Sequence, residues 1–388
     1  MPAPPRIAWY RPMAARRVDE EHRASTPLEL FFDLCFVVAV AQAAARLHHD
    51  LSAGHLGHGL LSYAMVFFAI WWAWMNFTWF ASAYDTDDGP YRLATLVQIT
   101  GALILAAGVP RAFDSGNFTI ITLGYVVMRL ATVGQWLRAA ATDTSHRPCA
   151  LRYATGVTAV QVGWVVRLFL PDSLALPGFA VLVVAELLVP VWAERVNPTS
   201  WHPEHIAERY GLFTLIVLGE SVLAATVAFQ SALDAGHAGT ALLSLAAAGL
   251  VIVFSMWWLY FDRSAGDLLT AQRTAYFWGY GHYLVFFSAA GVGAGLAVSV
   301  DHTLHTAHVS AVAAGYAVAV PVAVFLLSVW VLHIRQHLRG PIVVAFPIAA
   351  VLVLVTPFTP VPVQVTAVVV AILAASAIVA TRTRTVPG

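Results

Sequence analysis

The sequence predicts an all-α, polytopic membrane protein: about twelve transmembrane helices in two parallel six-helix repeats. Three observations lead there. Of 388 residues, 59% are hydrophobic and 11% charged, with a mean hydropathy of +0.74, too few polar side chains to coat a soluble fold of this length. Apolar runs of membrane-crossing length recur from end to end. The arginines segregate between alternate connections.

The apolar segments fall at 28–47, 56–80, 92–110, 118–138, 151–170, 174–193, 206–229, 239–261, 275–299, 309–332, 341–357 and 361–380, separated by polar or Gly/Pro stretches such as "DTDDGP" and "NPTSWHPE". Thr26-Pro27 is a good helix start, with Thr as N-cap and Pro at the first helical position, and Glu29 completes a capping box. The eleventh segment is the shortest and is interrupted by Pro347.

With the N-terminus in the cytoplasm, the tails and even-numbered connections carry seventeen arginines. The opposite side carries Arg46, Arg111 and Arg167, and Arg129 falls within a span. This bias orients the chain and favours an even span count, with both termini cytoplasmic. Residues 1–27 form an Arg-rich cytoplasmic tail without the apolar core of a cleaved signal peptide.

The halves look alike. "LELFFDLCFVVAVAQ" stands beside "AERYGLFTLIVLGES", and "AIWWAWMNFTWF" beside "FSMWWLYFDRSA", matching Trp71-Trp72 to Trp257-Trp258 and Asn76 to Asp262. Residues 28–195 and 206–381 thus read as two repeats. Six spans per copy insert both in the same direction, as in many transport proteins.

Ionised groups inside a bilayer are costly and usually face protein or water. Glu29 and Asp33 lie four apart on one helix face, at the cytoplasmic end of the first span. They serve a transported species, hold an arginine from a neighbouring span end, or cap the helix. Glu220 falls past mid-bilayer beside Ser221, twelve residues beyond Glu208, and Gln42 occupies nearly the matching place in the first half. Glu186 is a further mid-span acid. The expected path set is therefore Glu220, Gln42, Asp33, Glu208 and Glu29, with Asn76, Asp262, Ser221 and Glu186 as supporting or gating groups. The tryptophan blocks on the second and eighth spans read as interfacial belts. On the outer side, His302, His305 and His308 near Asp301 have a spacing that could hold a divalent metal, although the favoured reading is that outer loops depleted of Arg use His as their polar residue.

Zero net charge gives no basis for a nucleic-acid partner, and Cys35 and Cys149 form no disulfide or metal pattern. No phosphate-binding Gly-Lys loop, His-Glu-x-x-His or Gly-x-Ser-x-Gly is present, so neither a cofactor nor an enzymatic activity is expected.

"TPLELFFDLCFVVAVAQ" together with "HIAERYGLFTLIVLGESV" resembles the two stretches that mark the bacterial low-temperature-requirement A (LtrA) family. The resemblance covers about residues 25–380 and implies a multi-pass protein of the bacterial plasma membrane. More distantly, Phe31-Phe32-Asp33 is similar in position to the Phe-Ser-Asp signature of potassium channels built from two six-helix repeats. Here the middle residue is Phe, and the second half offers Phe213-Thr214-Leu215 with no Asp.

The functional expectation is a carrier or channel for a cation or small solute, with the lipid bilayer as partner and a homo-oligomer compatible with the sequence. The alternative is a non-transporting cold-adaptation or scaffold protein whose buried acids only tie helices together. An enzyme acting on lipid-linked substrates is the least favoured reading.

Overall fold

The computed structural model describes residues 9–16, 24–84, 86–234, 236, 239–262, 265–269, 271–337 and 340–382. Of the inside-assigned arginines, Arg6, Arg17, Arg23, Arg263, Arg339 and Arg384 lie outside the described residues.

Among the described residues there are twelve long α-helices and no strand. They are α1 (Pro27–Ser52), α2 (Leu56–Ala83), α3 (Gly89–Ser115), α4 (Thr119–Thr142), α5 (Arg147–Arg167), α6 (Asp172–Ala193), α7 (Pro203–Asp234), α8 (Thr240–Phe261), α9 (Gln272–Thr303), α10 (Ala311–Val329), α11 (Pro341–Val355) and α12 (Pro362–Arg382). Each overlaps one expected apolar segment, with ends that differ by a few residues. Eleven are long and apolar enough to cross a membrane. The exception is α5, whose apolar run is diluted by Arg147, Arg152, Gln161 and Arg167. Its 21 residues still give about 31 Å at 1.5 Å per residue. Large apolar side chains stand on the outer surface, among them Leu130, Val181, Ile372 and Val379. That pattern suits acyl chains as solvent.

Local chemistry sets the ends. Asp88 caps α3 by accepting from the Tyr91 amide, with Pro90 in the first turn, and Gly116 closes the helix in the left-handed region at φ 66°. Ser310 caps α10 through the Ala313 amide. Proline inside α3, α6, α10 and α11 leaves each continuous.

The chain forms two compact units. The first comprises residues 1–39 and 69–209, the second residues 40–68 and 210–388. In the first unit α3 packs on α4, α4 on α5 and α5 on α6. Gly101 and Gly124 make the α3–α4 contact close: a Cβ on Gly124 would sit 2.5 Å from the Gly101 carbonyl oxygen. The N-terminal segment is tied down here, with the Arg11 amide donating to Asp88 at 2.8 Å and Thr142 donating to the Met13 carbonyl at 2.9 Å. In the second unit α9 packs on α10, α10 on α11, α11 on α12, and α12 on α8. The end of α10 continues as a π-helical turn, Trp330–Ile334, before Arg335–His337. Wide turns of this kind are uncommon and often mark functional positions.

Candidate functional site

The first unit holds two buried ion clusters. One forms where α1 meets the start of α7. The capping box is present: the Glu29 amide donates to Thr26 Oγ1 at 3.2 Å, and Glu29 Oε2 accepts from the Thr26 amide at 2.7 Å and its hydroxyl at 3.0 Å. Glu29 Oε1 turns the other way, 3.2 Å from His205 Nε2 and 3.1 Å from Arg209 Nη1. One turn on, Asp33 Oδ1 accepts from Arg209 Nη2 at 2.5 Å and from Trp74 Nε1 at 2.7 Å, while Oδ2 accepts from Arg209 Nε at 3.2 Å.

The sequence makes this meeting simple. Glu29 and Asp33 are four apart on α1, and His205 and Arg209 four apart on α7, so two single-turn pairs face each other. From α2, Phe77 stacks on Phe32 at 3.8 Å and lies 5.5 Å beneath the Arg209 guanidinium. Glu29, Asp33, His205 and Arg209 are each at most 1% exposed. Two carboxylates therefore face one guanidinium in a site without water access, and a proton on His205 or a bound cation would complete the charge balance. His205 Nδ1 is buried and makes no hydrogen bond.

Glu186 of α6 organises the second cluster. Oε2 accepts from Trp72 Nε1 at 2.7 Å and from Arg129 Nη2 at 3.1 Å; Oε1 accepts from Trp164 Nε1 at 3.1 Å and from the Tyr125 hydroxyl at 3.2 Å. Arg129 also donates to the Tyr125 oxygen. Four helices, α2, α4, α5 and α6, thus converge on one carboxylate. Arg129 compensates its charge, which is how a buried acid becomes tolerable.

The remaining expected residues lie elsewhere. Glu208 Oε1 accepts from the Ser25 amide at 3.2 Å. Asn76 donates to the Trp72 carbonyl within its own helix at 2.8 Å. In the second unit Ser221 donates to the Ala289 carbonyl at 2.7 Å. Asp262 follows the last turn of α8, its amide bonded to the Trp258 carbonyl. Gln42 is exposed and Glu220 half buried, and neither side chain makes a hydrogen bond or ion pair among the described residues.

Two expectations are corrected. The first tryptophan block is not an interfacial belt: Trp71, Trp72 and Trp74 are at most 2% exposed, and Trp72 and Trp74 donate to Glu186 and Asp33. Trp257 and Trp258, at 41% and 42%, keep the exposure a belt requires. The outer-loop histidines form no metal cluster, since no group of three metal-ligating side chains occurs among the described residues. His302 and His305 stand beside a left-handed turn at His305 (φ 60°), and His308 engages the Ser52 carbonyl through its backbone. Asp301 is taken by His48 Nε2 at 2.7 Å and Ser52 Oγ at 2.8 Å.

Sequence reasoning missed Arg209 and His205 as partners and left Arg129 unused. A signal for both was available: an arginine inside a span needs an acid, and an acid pair needs a cation at matching helical spacing.

A bundle of membrane-crossing helices with ion pairs sealed inside one unit defines a polytopic helical membrane protein. The profile of the bacterial low temperature requirement A protein (LtrA) family matches residues 24–380, and the chain belongs to that family. It is 29% identical over 293 residues to the uncharacterized protein RA0937 of Rhizobium meliloti (strain 1021), covering 70% of this chain and 69% of that one.

Proposed function

We propose that this LtrA-family protein is a carrier or channel for a cation or small solute in the bacterial plasma membrane, with both termini in the cytoplasm. The observation that carries the reading is the charge count at Glu29, Asp33, His205 and Arg209: two acids, one permanent cation and one histidine, all dehydrated. Such a cluster holds its geometry best when a proton or cation is present and is disfavoured when it is absent, which couples ion binding to the packing of α1 against α7. Glu220, half buried without a partner in the second unit, is the other acid in the set proposed to meet the transported species.

A second reading is favoured by one observation: both oxygens of Asp33 already accept hydrogen bonds, as does Oε2 of Glu29. On that view the acids are helix ties in a scaffold or cold-adaptation protein. Flux and thermal unfolding measured on the same preparations of Asp33→Asn and Glu220→Gln separate the two. Transport predicts altered flux in both variants. The scaffold reading predicts lower stability for Asp33→Asn and wild-type behaviour for Glu220→Gln.

A further inference from the structure

The second unit contains a buried polar cluster that neither the acid pattern nor the family match singles out. His282 of α9 is fully buried, and its two ring nitrogens have different partners. Nδ1 lies 2.7 Å from the Trp278 carbonyl, which can only accept, so Nδ1 carries hydrogen. Nε2 lies 3.0 Å from the Tyr260 hydroxyl of α8 and, in the neutral ring, accepts its proton. Thr214 of α7 lies beside Tyr260, and its hydroxyl donates to the Tyr210 carbonyl at 2.8 Å. His333 enters on the π-helical turn, its ring centre 5.0 Å from that of Tyr260 and 5.5 Å from that of His282. The titratable groups facing His282 are Tyr210, Tyr260 and His333; Trp278 and Phe286 complete the wall.

The first unit repeats part of this plan. There Phe32-Asp33 on α1 meets Trp74, two residues past the Trp71-Trp72 pair of α2. Here Phe213-Thr214 on α7 meets Tyr260, two residues past the Trp257-Trp258 pair of α8. The acid has become Thr and the indole a phenol. Where the first unit sets a carboxylate against an indole and a guanidinium, the second sets hydroxyls against imidazoles.

We infer that His282, Tyr260 and His333 form a proton-carrying site in the second unit, with Tyr260 passing protons between two imidazoles. The step balances without an oxidant or a base from outside. An imidazolium at His333 gives its proton to the Tyr260 oxygen as the Tyr260 O–H proton moves to His282 Nε2. Tyrosine ends neutral, and the charge has moved from one ring to the other. The step requires the His333 ring to turn until one of its nitrogens reaches the Tyr260 oxygen.

The existence of the site stands apart from the transport reading; only its part in moving protons across the membrane rests on it. The test is ¹⁵N-histidine NMR of the full chain in nanodiscs from about pH 8 to about pH 5, where imidazole titrates. The variants are His282→Gln, His333→Gln and Tyr260→Phe, the last keeping the ring and removing only the hydroxyl. His282 and His333 are expected to take up protons interdependently, each deletion shifting the midpoint of the remaining histidine and Tyr260→Phe slowing exchange between them by about a hundredfold. If His282 stays neutral throughout, or its titration ignores His333→Gln, the inference is overturned. Cation flux with an inert His282 would leave the transport reading standing and this one refuted. Coupled titration without any ion flux would do the reverse.

Discussion

Arg209 holds Asp33 in a fork, with Nη2 at 2.5 Å from Oδ1 and Nε at 3.2 Å from Oδ2, while its third nitrogen reaches Glu29 at 3.1 Å. One guanidinium thus ties two turns of α1 to the start of α7. A planar cation that forks one carboxylate through two donors while lying 3.1 Å from a second has no substitute among the other side chains.

Arg209→Gln is therefore expected to be among the most destabilising polar substitutions in the chain. It leaves two buried carboxylates without their cation, a change costing about 3–5 kcal/mol. Arg209→Lys recovers only a minor part, since an ammonium cannot fork across Asp33. Thermal unfolding in detergent, read by intrinsic fluorescence, checks both; equal midpoints for wild type and Arg209→Gln would refute the point.

The Glu186 cluster predicts strong coupling. Arg129→Met and Glu186→Gln each strand a partner, so the double variant should lose clearly less than the two single losses added together. A double-mutant cycle on unfolding midpoints measures the difference, and simple additivity would show that the pair is not an energetic unit.

Close approach of α3 and α4 predicts a position-specific penalty. A Cβ at Gly124 would fall 2.5 Å from backbone atoms of Gly101 and Leu105, whereas one at Gly134 on the same helix meets nothing within 4 Å. Gly124→Ala should lower stability by about 1–3 kcal/mol and Gly134→Ala should not. Comparable melting of the two variants would contradict the packing described.

A pH effect follows from Asp88. Burial alone would raise its carboxyl, but the Arg138 guanidinium and the Tyr91 and Arg11 amides outweigh that and hold it below the ordinary value of 3.8. A lowered folded-state value means the contribution is complete above 3.8 and is lost as pH falls through the lower folded value. Unfolding midpoints of wild type and Asp88→Asn should thus differ at neutral pH and converge in strong acid. A gap that widens on acidification would reverse the sign and refute the assignment.

The helices were legible because a bilayer demands long apolar runs, and nothing in the polar connections disguises them. Even α5, the least apolar, was recognisable from its length and flanking turns. The capping box at Thr26 and Glu29 was equally plain, since its partners are three residues apart. Partners far apart in sequence were not. Arg209 lies 176 residues from Asp33 and His205 equally far from Glu29, and no local pattern announces such pairs. Trp72 and Trp74 misled for a related reason: an aromatic run looks interfacial until the acid that binds its indole nitrogen is known. His282 gave no signal at all, because a lone histidine in a span becomes informative only beside Tyr260 and His333.

The most direct test of the central claim is electrical. Wild-type protein and Asp33→Asn, reconstituted in liposomes on a solid-supported membrane, are challenged with steps of proton, sodium and potassium concentration. A current in the wild type for at least one of these ions, abolished or shifted in concentration dependence by Asp33→Asn in correctly folded protein, is the predicted result. Silence of the wild type to all three, or a current that Asp33→Asn leaves unchanged, would contradict it.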